Sequence, residues 1–197
     1  MRPEWWLAIA APVIVTGGLV ILHQVAIVIL VYQLGLCLAL PAWIARREGR
    51  SWREHRRDLA LGGRGWRMGL VAGLVLAAVP VGAHTWLPAL FPAASDLRAT
   101  LATWGIAPDR VLPLLVAMGV TNGPAEELFW RGWLLTRLGT SGAAPWLLVL
   151  LFTSYHTVTI GALAPSSLAA GVMLVGVLLA AAFWTWTRQR WHASVPA

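Results

Sequence analysis

Residues 5–45 contain no charged side chain. One membrane crossing takes about 20 apolar residues, so this run is too long for one span and long enough for two. Gly17-Gly18 and His23-Gln24 offer a place to turn, which predicts spans over 5–22 and 25–45. A cleaved signal peptide would be the other reading of the first run. Glu4, the lack of a small-residue cleavage site and the apolar sequence continuing beyond it argue against that. Further apolar stretches predict spans near 68–91, 111–137, 143–161 and 167–187. The expected fold is an all-α, polytopic transmembrane helical bundle of about six spans. Only 12% of the 197 residues are charged, about half the share of an ordinary soluble domain. That excludes a soluble domain, and a 58% hydrophobic content excludes a disordered chain.

The charges set an expected orientation. Arg46, Arg47, Arg50, Arg53, Arg56, Arg57, Arg64 and Arg67 stand against Glu48, Glu54 and Asp58 in one loop. The positive-inside rule places such a loop in the cytoplasm, and two preceding spans put the N-terminus there too. Arg2, Arg137, Arg188 and Arg190 then also fall inside, with Arg98 and Arg110 outside. Trp5, Trp6, Trp43, Trp66, Trp86, Trp146, Trp184 and Trp186 lie near span ends, where indole rings favour the interface. Ser51-Trp52-Arg53-Glu54 reads as a capping box. Ser95 or Asp96 is expected to cap a stretch whose Leu97, Leu101 and Trp104 share a face. Topology accounts for the arginines, so no nucleic-acid partner is implied. Cys37, the one cysteine, reads as a small packing residue, and no disulfide framework exists.

Glu126 and Glu127 break the apolar pattern of the fourth span. A carboxylate at the bilayer centre costs at least about 2.5 kcal/mol, so the pair needs partners. Glu127 and Arg131 are spaced i,i+4 with the acid first, the favourable order for an ion pair. Glu126 is turned about 100° away on the helix and is left without an evident counter-charge. Pro124 is expected to break the span, with Asn122 or Gly123 capping a new helix just before the acids. The next span holds one ionisable group, His156, on the same face as Phe152. A glutamate base beside a histidine can activate water in a cavity sealed from lipid. A purely structural role, locking two helices together, is the alternative.

These residues resemble a known family, the CAAX-protease and bacteriocin-processing (CPBP, or ABI) intramembrane endopeptidases, related to the Ras-converting CAAX prenyl protease. Glu126, Glu127 and Arg131 match its Glu-Glu-x-x-x-Arg motif, and Phe152 and His156 match its Phe-x-x-x-His motif. The resemblance implies a protease core over 67–197, preceded by two N-terminal helices and the basic loop over 1–66. It further implies that Glu126 and His156 are catalytic, with Glu127, Arg131 and Phe152 in support. Its third motif, His-x-x-x-Asn or His-x-x-x-Asp, is absent, because His192 is followed four positions later by Pro196. A C-terminal helix of the family is therefore expected to be missing, or the chain to be a degenerate member. As given, the chain is expected to be weakly active or inactive.

The resemblance implies hydrolysis of a peptide bond by Glu/His-activated water, without a metal cofactor. Zinc held by Glu126, His156 and a lost histidine is the variant. Expected partners are the lipid bilayer and a protein or peptide substrate, prenylated or of bacteriocin type. The expected location is a bacterial inner membrane. Two other functions compete: a non-catalytic immunity or peptide-binding module, and a proton-coupled transporter, for which no inverted repeat speaks.

Overall fold

The computed structural model describes residues 2–58, 78–79 and 81–192. Among them no strand occurs, as hydrophobic runs without period-2 alternation require. Four helices are long and apolar enough to cross a membrane: Pro3–Ile21 (α1), Val25–Arg47 (α2), Ala144–Leu163 (α6) and Ser167–Arg190. The last belongs to a helix reaching His192 (α7, Ser167–His192). Between α2 and α6 lie the short helices Trp52–Asp58 (α3) and Ala94–Thr103 (α4). The segments Val111–Glu126, Glu127–Leu134 and Leu135–Leu138 run on as a single helix, α5. Pro88–Thr103 and Pro108–Met118, bent by 107°, would make a fifth crossing if they form one broken span. Of the span expected over 68–91, residues 68–77 and 80 lie outside the described residues.

The first turn falls where the sequence places it. His23 takes φ 51 between α1 and α2, and Gly18 lets the two helices meet. A Cβ on Gly18 would stand 2.9 Å from Val28 Cγ2, too close for any other residue without movement. The capping box is present: Ser51 Oγ accepts from the Glu54 amide at 3.3 Å, and Glu54 Oε2 accepts from the Ser51 amide at 2.7 Å.

Two local expectations are corrected. The N-cap of α4 is Ala93, with no side-chain cap, and Ser95 hydroxyl donates instead to Asp96 Oδ1 at 3.2 Å. The shared face is real, since Leu101 and Trp104 are buried and Leu97 packs on them. Pro124 does not break α5, and neither Asn122 nor Gly123 starts a helix. Proline removes one ladder donor, yet the helix runs on through it, and π-type turns follow over Glu127–Leu134. Wide turns of this kind concentrate at functional sites. A second wide segment, Val28–Ala39, lies in α2, and the two face each other in the core.

Polar groups collect at one end of the bundle. Arg137 Nη1 donates to Glu48 Oε1 at 2.7 Å, a second bond joins it to Glu48 Oε2, and Glu4 lies 3.6 Å away. Arg2 donates to the Arg137 carbonyl at 2.8 Å, and Gln189 to the Thr140 carbonyl at 2.7 Å. The N-terminus, the end of α2, the α5–α6 turn and the end of α7 therefore share one face. Gly139 closes α5 there with φ 112. At the opposite end the Val25 amide donates to the Trp104 carbonyl at 3.1 Å. Trp6, Trp43, Trp86, Trp146 and Trp186 are exposed, while Trp130 and Trp133 are buried in the core. Trp66 lies outside the described residues.

Candidate functional site

Glu126 sits near the middle of α5, about 16 Å from Arg137 at about 1.5 Å rise per residue. It is 6% exposed. Two phenols answer its charge. Tyr155 of α6 donates to Glu126 Oε1 at 2.7 Å, and Tyr32 of α2 reaches the same oxygen at 3.1 Å. The two phenol oxygens are 3.1 Å apart, and Trp130 Nε1 donates to Tyr32 Oη at 3.0 Å. Indole N–H can only donate, so the Tyr32 oxygen is the acceptor of Trp130 and its own proton is turned toward Glu126 and Tyr155. Buried polar groups need such partners, and here they form one connected set.

Glu127 behaves as the spacing predicts and differently from its neighbour. Arg131 Nη1 donates to Glu127 Oε1 at 2.9 Å, with the arginine 5% and the acid 40% exposed in their side chains. The guanidinium also lies 4.0 Å from the Phe152 ring centre. Arg188 of α7 donates from Nε to the Arg131 carbonyl at 3.1 Å. A half-buried second cation thus reaches the same turn of α5 from the last helix.

His156 Nδ1 is 2.9 Å from the Phe152 carbonyl. A carbonyl only accepts, so Nδ1 carries a proton, and in the neutral imidazole Nε2 keeps its lone pair. The imidazole packs between Phe152 and Tyr155, with ring centres 4.7 and 4.3 Å away. Phe152 in turn meets Trp130 edge-on at 5.8 Å. The five residues singled out in the sequence are therefore gathered on adjacent turns of α5 and α6. Glu126 and His156 meet through Tyr155, which bonds one and packs on the other. Among the described residues, no group of three or more His, Cys, Asp and Glu side chains is placed to hold a metal ion.

Sequence reasoning missed Tyr32, Tyr155, Trp130 and Arg188. A signal for the first two was present: the chain has only two tyrosines, each inside an apolar run, and a buried phenol usually finds a polar partner. Gln33, next to Tyr32, gives a similar hint. It is buried and donates to Thr121 Oγ1 at 2.9 Å, tying α2 to α5 a little above the acids.

Residues 108–195 match the family model described as type II CAAX prenyl endopeptidase Rce1-like. The matched segment contains Glu126, Glu127, Arg131, Phe152 and His156, and it does not include α1 or α2. No curated protein and no solved structure matches the chain.

Proposed function

From the premise that residues 108–195 belong to the Rce1-like family of CAAX-type intramembrane proteases, we propose that Glu126 and His156 activate a water molecule for attack on a peptide bond. The single observation that carries this reading is the different treatment of the two adjacent acids. Glu127 is neutralised by Arg131. Glu126 accepts its hydrogen bonds from the neutral phenols of Tyr32 and Tyr155 and forms no ion pair among the described residues, so its carboxylate keeps its capacity to take a proton. In the neutral imidazole the lone pair on His156 Nε2 supplies a second acceptor on the neighbouring helix. Glu127, Arg131 and Phe152 hold the two turns together.

In this reading Glu126 takes a proton from water as the oxygen attacks the carbonyl carbon, and the proton passes to the departing amine. No metal is required. Loss of cleavage on chelation, restored by zinc, would replace the glutamate reading with a Lewis-acid one. The arginine-rich end of the bundle is read as cytoplasmic, in a bacterial inner membrane, with the N-terminus inside. The substrate is a membrane-associated protein or peptide cut near that face, of which a prenylated C-terminal sequence and a bacteriocin-type peptide are the two classes considered.

The test is a comparison of peptide termini in membranes from cells producing the protein or its Glu126→Gln variant. New termini confined to the unaltered protein support a protease. Identical termini in the two samples favour the second reading, a binding or immunity module that uses the same cluster structurally.

A further inference from the structure

The family match stops short of α2, yet Glu126, the most buried carboxylate among the described residues, is held partly from α2. We propose that Tyr32 is a positioning residue for Glu126, so that the N-terminal hairpin completes a site begun by the matched segment. Tyr32 is 1% exposed and Tyr155 4%, which leaves neither phenol to water. Their rings meet edge-on at 5.5 Å, so the two oxygens converge while the rings stay apart.

Both phenols bind Glu126 through Oε1. A carboxylate oxygen with two donors cannot turn freely about the last side-chain bond, and the lone pairs of Oε2 remain outside the phenol pair. Tyr155 alone would leave the carboxylate one strong tether and a swing about it. Tyr32 removes that swing from the opposite side, and Trp130 fixes the direction of the Tyr32 hydroxyl by occupying its acceptor position. The wide turns of Val28–Ala39 carry Tyr32 on the helix surface that faces α5. Gln33 pins the next residue to Thr121, which keeps α2 from sliding along α5.

The inference rests on the proposed role of Glu126, but its test has a readout independent of cleavage. In protein labelled with ¹³C in the glutamate side chains, the infrared carboxylate band of Glu126 is identified by its loss in Glu126→Gln. Tyr32→Phe keeps the ring and removes only the hydroxyl. It should shift that band, Tyr155→Phe should shift it in the same direction, and the double variant should shift it further. In cleavage, loss of one hydrogen bond to a charged group should lower kcat roughly 10- to 100-fold with KM little changed, since Tyr32 holds the base and not the substrate. A Glu126 band unmoved by Tyr32→Phe overturns the proposal whatever the activity, as does a KM rise with kcat unchanged. A band that moves while kcat stays unchanged upholds the placement of Tyr32 and overturns the assignment of Glu126 as the base instead. If Tyr32→Phe fails to fold, Trp130→Phe, which removes the donor that orients the Tyr32 hydroxyl, should shift the same band, and an unmoved band there overturns the proposal.

Discussion

Arg131 stands 4.0 Å from the centre of the Phe152 ring while its Nη1 donates to Glu127. One guanidinium thereby fastens the Glu-Glu-x-x-x-Arg turn of α5 to the Phe-x-x-x-His turn of α6. Arginine suits this post because its flat, delocalised cation can stack on a ring and donate in its own plane at once. The aromatic at position 152 is explained by the same contact, and its carbonyl sets the His156 tautomer.

Replacing Phe152 by Leu should therefore lower stability by about 2 kcal/mol, the worth of a desolvated cation–π contact, beyond any loss of packing. Phe152→Tyr, which keeps the ring face, should lower it less. Thermal unfolding in detergent measures both. Equal Tm values for Phe152→Leu and the parent would show that Arg131 gains nothing from the ring.

The Glu48–Arg137 pair should give the polar end of the bundle an acid-sensitive contribution. Hydrogen bonds from Arg137, opposed by partial desolvation and helped by the charges of Arg137 and Arg50, hold the Glu48 carboxyl below the usual carboxylate range. A group depressed on folding stabilises above its unfolded pKa and loses that contribution as pH falls through its folded value. Glu48→Gln should thus lower Tm at neutral pH, and the gap to the parent should close in strongly acidic buffer. Glu48 is 36% exposed in its side chain, so salt screens the pair and the neutral-pH effect should stay below about 1 kcal/mol. A Tm gap that persists in acid would contradict the assignment.

Orientation is tested by thiol labelling, because Cys37 is 1% exposed and gives little background. Arg53→Cys lies at the polar end and Asp109→Cys at the other. In intact cells an impermeant maleimide should label Asp109→Cys at once and Arg53→Cys only after permeabilisation. The reverse would turn the whole bundle over.

What the sequence made legible was governed by range. Hydropathy and charge placed α1, α2, α6 and α7 within a few residues, because desolvation of a whole span is a large, additive term. The i,i+4 contact of Glu127 with Arg131 was legible because it is local. Tyr32 and Tyr155 were not, since 123 positions separate them and only the packing of α2 against α5 and α6 brings them together. Pro124 was misjudged for a related reason. Its local preference to end a helix is outweighed by the cost of exposing unpaired backbone groups in an apolar surrounding.

The central claim is the division of labour between Glu126 and Glu127, and paired turnover and stability measurements on their Gln variants test it most directly. Glu126→Gln should reduce cleavage by the active protein by orders of magnitude with Tm nearly unchanged, because it removes the base and keeps the shape. His156→Ala should match it, and the double variant should lose little more. Glu127→Gln strands Arg131, and breaking a buried pair costs about 3–5 kcal/mol; since Glu127 is partly accessible, the loss should lie toward the lower figure, with activity falling alongside stability. Near-normal turnover in Glu126→Gln, with a stable but inactive Glu127→Gln, would contradict the account and put the base on the other face of α5.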